Sequence, residues 1–115
     1  MGRMKLAVPT KWNKGLDDVV SQVFGKAENF TIIEIDNGSI VNVEVVKNPA
    51  ASYKHGAGPI AIKTLTEKGM TAVAASELGL GASTLLEQNN IKRHRVKAGI
   101  PVREVVKFVL KETEV

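Results

Sequence analysis

FTIIEIDNGSIVNVEVVK, residues 30–47, decides the fold. Two runs rich in β-branched residues stand on either side of Asp36-Asn37-Gly38. Such residues fit a pleated, half-buried surface. An Asn-Gly pair between them is a hairpin signal, because the tight turn that matches strand twist needs positive φ at both central residues. Residues 30–35 and 39–47 therefore read as antiparallel strands, the second alternating at Val41, Val43 and Val45.

Upstream, residues 4–9 (MKLAVP) read as a first strand, with Met4, Leu6 and Val8 on one face and Pro9 ending it. TKWNKG, residues 10–15, is a polar loop with the chain's one tryptophan. Leu16, Val19, Val20 and Val23 then recur at helical spacing, with Asp17 and Asp18 placed for a first turn. A short amphipathic helix over 16–24 is the expectation.

Downstream the pattern changes. Residues 48–58 (NPAASYKHGAG) form a long loop. A helix is expected over 59–68, with Pro59 at its first position and Ile60, Ile62 and Leu65 on or near one face. A short apolar strand follows at 71–75, a glycine loop at 78–81, and a helix at 82–88. A strand at 91–97 and a helix at 101–111, striped by Val102, Val105, Val106, Val109 and Leu110, complete the order. A hairpin-rich first half followed by βαβ units argues for an α/β fold: a mixed five-stranded sheet with helices packed on it. The ribonuclease-H-like arrangement has this order, and residues 1–115 read as one domain.

The chain has 115 residues, 43% of them hydrophobic, and a net charge of +4. It contains no cysteine, which excludes disulfides, thiolate catalysis and thiolate ligation of an iron–sulfur cluster by this chain alone. No apolar run approaches the roughly 18 residues that span a bilayer. A cytoplasmic protein without membrane contact is the expectation.

If the first, third, fourth and fifth strands run the same way, four loops share one edge of the sheet, where open α/β sheets bind ligands. Two of them carry glycines directly ahead of helices: Gly56 and Gly58 before one, Gly79 and Gly81 before the other. A helix start offers unpaired N–H groups and partial positive charge, so these loops suit an anion. Equally, glycines close short strand-to-helix turns. Lys11, Lys14, Lys54 and His55 are placed to add charge or donors. His55 is a metal ligand, a solvated loop histidine or a donor at the helix terminus.

Several of these pieces combine into a pattern. Val23-Phe24-Gly25-Lys26-Ala27 ahead of Phe30, Asn48 after the third strand, His55-Gly56-Ala57-Gly58, and Glu77-Leu78-Gly79 before a helix resemble the dinitrogenase iron–molybdenum cofactor biosynthesis family. The resemblance runs from about Met4 to Leu110. It implies a ribonuclease-H-like fold and a non-catalytic protein that binds or carries an anionic iron–sulfur or iron–molybdenum cluster or precursor. Backbone donors at Gly56, Ala57 and Gly58, close approach at Gly79 and Gly81, a ligand at His55, and charge compensation from Lys11 and Lys14 make up the expected site. A protein that donates or accepts the cofactor is the implied partner.

Two other classes compete. Residues 92–97 (KRHRVK) are strongly cationic and would serve a nucleic-acid or protein interaction module; a solvated edge strand has the same composition. A nuclease needs clustered carboxylates on its central strands. The first strand has none, and Glu34, Asp36 and Glu44 straddle a hairpin.

Overall fold

The computed structural model describes residues 2–113. The hairpin forms as read: β2 (Asn29–Asp36) and β3 (Ser39–Lys47) pair antiparallel, and Asp36 faces Ser39 across the turn. Asn37 and Gly38 take φ of 51° and 82°, the positive pair that this turn demands. A bulge interrupts the register between Glu34 and Ile35.

β1 (Arg3–Thr10) pairs antiparallel with β2 along its whole length. It therefore runs through Pro9 rather than ending there. The Pro9 carbonyl accepts the Ser21 N–H at 2.8 Å on the flank away from β2, and the missing amide would face the same way, so the ladder to β2 is intact. β4 (Ala72–Ala75) lies parallel on the other side of β1, and β5 (Lys92–Arg95) lies parallel to β4. Among the described residues the sheet has five strands in the order β3-β2-β1-β4-β5. β1, β3, β4 and β5 share a direction.

Alternation divides the core into two layers. Ala7, Phe30, Ile32, Val73 and Ala75 face α1 (Ala57–Glu67) and α2 (Leu80–Gln88). Leu6, Val8, Ile33, Ile35, Ala72 and Ala74 face α3 (Val102–Glu112). Each fully buried branched side chain contributes about 1.5–3 kcal/mol. Ala72, Ala74 and Ala75 are small, so β4 puts little bulk between the sheet and the helices on either face. α3 buries Val102, Val105, Val106 and Val109 of the stripe expected, with Leu110 partly buried beside them, although valine is a modest helix former; packing outweighs propensity here. On α1 the buried set is Ala57, Ala61, Ile62 and Leu65, so Ala61 takes the place expected of Ile60.

The expected helix over 16–24 is not there. A 3-10 turn at Gly15–Asp17 gives way to extended chain, with single bridges pairing Val20 with Thr10, Val19 with Pro101 and Val23 with Glu77. Asp18 explains the change. Its carboxylate is buried and accepts the N–H groups of Trp12, Lys14 and Val19, rather than serving a helix start. The β-branched valines then fit the extended form better than a helix. Val20 donates to the Ile100 carbonyl and accepts from the Gly99 N–H, while Phe24 donates to the Glu77 carbonyl.

Candidate functional site

The shared strand direction brings four loops to one edge of the sheet, those after β1, β3, β4 and β5. The extended segment 18–27 runs across this edge and ties them together. It bonds to Pro9, Glu77, Gly99, Ile100 and Val102. Phe24 anchors it, buried against Phe30 with ring centroids 5.1 Å apart.

Gly25 is the tightest point. A β-carbon there would lie 2.7 Å from the Gly58 nitrogen and 3.0 Å from its Cα. Backbone therefore packs on backbone, and only glycine fits at 25. Asn48 fixes the same region. Its buried side-chain amide donates to the carbonyls of Gly25 and Ala27, both at 2.9 Å, and its oxygen accepts the Ala50 N–H at 3.0 Å. Sequence alone shows Gly25 and Asn48 as parts of a pattern; the contact between them gives that pattern a physical cause.

α1 and α2 begin beside each other. Gly56 is the N-cap of α1 with φ of 72°, and no side chain caps this end. Ile60 makes the first helical bond, to the Gly56 carbonyl, so the N–H groups of Ala57 and Gly58 precede the helical ladder. Pro59 stands in the first turn but third, not first; it has no N–H to leave unpaired. α2 starts at Leu80 with Gly79 as N-cap, also without a side-chain cap, and its first helical bond runs from Ser83 to Gly79. Gly81 is thus inside the first turn of α2 and not in the loop. The ends touch: a β-carbon on Gly58 would meet the Ala82 Cβ at 3.4 Å, and one on Gly81 would meet the Pro59 Cγ at 3.7 Å. Two partial positive charges therefore lie next to each other with glycine surfaces between them.

His55 is exposed immediately before this pair of termini. Among the described residues no group of three or more His, Asp or Glu side chains is gathered for a metal ion. The donors here are backbone amides and one imidazole, a set that suits an anion rather than a bare cation. Glu77 serves loop structure: its carboxylate accepts from the Gln22 side chain at 3.1 Å. Lys11 and Lys14 stand at the same sheet edge, but their ammonium groups gather over the Trp12 ring, 5.9 and 4.9 Å from its centroid. An open depression of about 510 Å³ is lined by Glu28, Lys47, Asn48, Pro49, Ala51 and Ser52. It sits at the base of the loop that leads to Gly56, not at the helix termini.

The basic run does not form a continuous stripe. Strand alternation sends His94 inward, where it is buried with Nδ1 against the Glu112 carboxylate of α3. Arg93 lies on the opposite face and donates from Nη2 to the Ser76 carbonyl at 2.7 Å, bracing the loop that enters α2. Burial, and then the neighbouring Arg95, hold the Arg93 guanidinium below its ordinary pKa. A solvated strand was the expectation for this stretch; His94 departs from it because its register partner, Ala74, faces α3.

The chain is similar to known proteins along nearly its whole length. Residues 4–112 match the model of the family described as dinitrogenase iron-molybdenum cofactor. An uncharacterized protein of Methanocaldococcus jannaschii is 30% identical over 107 residues, 93% of this chain and 86% of that one. The orange protein of Desulfovibrio gigas, solved in its apo form, superposes with a TM-score of 0.84 at 29% identity, covering 97% of this chain and 92% of that one. A NifB-like protein from Thermotoga superposes with a TM-score of 0.73 at 34% identity, covering 98% and 90%. Among the described residues no helix is long and apolar enough to cross a membrane.

Proposed function

The chain belongs to the dinitrogenase iron-molybdenum cofactor family, and we propose that it is a non-catalytic carrier of an anionic iron–sulfur or iron–molybdenum cluster, or of a precursor. The cargo is held at the adjoining starts of α1 and α2 and passed to another protein. One observation carries this reading: two helix N-termini lie in contact, both without side-chain caps, with Gly58 and Gly81 on the facing turns. The amides of Ala57 and Gly81, which precede the helical ladders, would donate to cluster sulfurs or oxo groups, Gly58 giving a bare surface with its nitrogen packed against Gly25, and the helix dipoles favour the negative charge. His55 adds an imidazole donor or ligand at the rim. Without cysteine, no thiolate of this chain bonds the cargo. The strand order, three antiparallel strands followed by two parallel ones, also supports a ribonuclease-H-like classification for the sheet.

Anaerobic reconstitution with iron, sulfide and molybdate, followed by gel filtration, metal analysis and visible spectroscopy, tests the proposal. Coloured species co-eluting in stoichiometric amount are expected. Loss in His55→Ala would make His55 a ligand; retention would place the hold on the backbone amides or on other side chains. A colourless, metal-free wild-type chain would overturn the carrier reading.

A further inference from the structure

We propose that the loop after β1 is a docking platform for an acidic segment of another protein, presented by Trp12 with Lys11 and Lys14 around it. Trp12 is the chain's one tryptophan and is 52% exposed. A large aromatic face left in water is the kind of group that anchors protein interfaces.

The loop is not a loose connection. Asp18 is fully buried, and its Oδ2 accepts the N–H of Trp12 at 3.0 Å and of Lys14 at 3.3 Å, while its Oδ1 accepts the N–H of Val19 at 2.8 Å. From the other side, the Asn29 amide donates to the Trp12 carbonyl at 3.2 Å. Burying a carboxylate is costly, and here it is offset by three amide bonds whose effect is to order this one loop. The backbone beneath the indole is therefore set before any partner arrives, which removes much of the ordering cost of association.

Charge selects the partner. The Lys14 and Lys11 ammonium groups lie 4.9 and 5.9 Å from the ring centroid. Lys47 stands directly across the ladder from Asn29, in the row that holds the Trp12 carbonyl. Of the nearby acids, Asp18 is engaged by the backbone amides and Asp17 by Arg103 at 3.1 Å, while Glu28 is exposed and shares the depression with Lys47, which leaves Lys11 and Lys14 as the charges that select the partner. A half-exposed indole with two ammonium groups over its ring fits a surface carrying carboxylates beside an apolar group. A nucleic-acid strand takes a series of stacking aromatics along a basic groove, and this loop offers one ring. Because the platform lies at the same sheet edge as the helix termini, a protein docked on it is positioned for cargo transfer. Naming the partner as the cargo's donor or acceptor rests on the carrier reading; the docking itself does not.

Since Trp12 is the sole tryptophan, its emission reports on this site alone. The chain would be titrated at low salt with a synthetic peptide rich in Asp and Glu and carrying leucine, with oligothymidylate as comparator. A saturable blue shift with the peptide is expected, weakened by added salt. The Lys11→Gln/Lys14→Gln double variant should bind about tenfold more weakly, while Lys107→Gln on α3 should bind as wild type. Unmoved emission, equal affinity in the double variant, or tighter response to oligothymidylate would each overturn the proposal. Metal loading is measured separately on the wild-type chain: loading without peptide response rejects docking alone, and peptide response without loading rejects the cargo alone.

Discussion

Gly25 and Gly58 meet backbone to backbone, with the position of a β-carbon on Gly25 only 2.7 Å from the Gly58 nitrogen. Two segments more than thirty residues apart are joined by the absence of a side chain. Gly25→Ala has no flexible neighbour to push aside, since the atoms it meets belong to Gly58 and Ala57 backbone. The substitution should cost about 1–3 kcal/mol, the range for overpacking. Thermal unfolding checks this; an unchanged melting temperature would show that the two loops part easily.

Asn48 holds the same junction with hydrogen bonds instead of contact. Asn48→Ala leaves the carbonyls of Gly25 and Ala27 without their donor in a buried setting, a loss of about 1–3 kcal/mol for each group stranded. Asn48→Asp should be at least as damaging, because a carboxylate oxygen would then face both carbonyls. Urea denaturation of the two variants separates these effects from simple loss of volume.

Gly56 is sterically open, yet its φ of 72° is disfavoured for residues with a side chain. Gly56→Ala should destabilise by about 1–2 kcal/mol, and Gly56→Asn by less, because asparagine tolerates this conformation. Equal losses in the two variants, measured by chemical denaturation, would point to some cause other than backbone conformation.

Asp18→Ala removes the acceptor for three amides and should free the loop beneath Trp12. A stability loss of about 1–3 kcal/mol is expected from stranding three part-buried donors. Lower fluorescence anisotropy of Trp12 should accompany it. Anisotropy unchanged from wild type would mean that the indole is held by something other than the Asp18 clamp.

How far the fold was legible follows from where each signal resides. The hairpin, the helix at 102–112 and the glycine-led helices announce themselves through local pattern, because their periodicity and turn residues lie within a few positions of each other. The common strand direction followed from that order, and with it the edge where the glycine loops meet. The segment 16–24 misled because its valines have helical spacing, while the partners that hold it extended, Pro9, Glu77, Gly99 and Ile100, are mostly far along the chain. Buried Asp18 and His94 were equally hidden: an aspartate near a helix-like stretch resembles a capping residue, and a histidine between arginines resembles a solvated one. Only register and packing show which way each points. The contact of Gly25 with Gly58 has no local signature at all, although both glycines stand in the pattern that suggested the family.

Cargo binding at the adjoining helix termini is tested most directly by Gly81→Glu. A β-carbon at 81 finds ordinary contact, 3.7 Å from the Pro59 Cγ, and an acid in the first turn of α2 complements the helix dipole by about 0.3–1 kcal/mol. The variant should therefore fold at least as well as wild type while placing a carboxylate where the anionic cargo belongs. After anaerobic reconstitution with iron, sulfide and molybdate, the expected result is metal on the wild-type chain and little on Gly81→Glu at an equal or higher melting temperature. Equal metal content on the two folded proteins would contradict cargo binding between these helix termini.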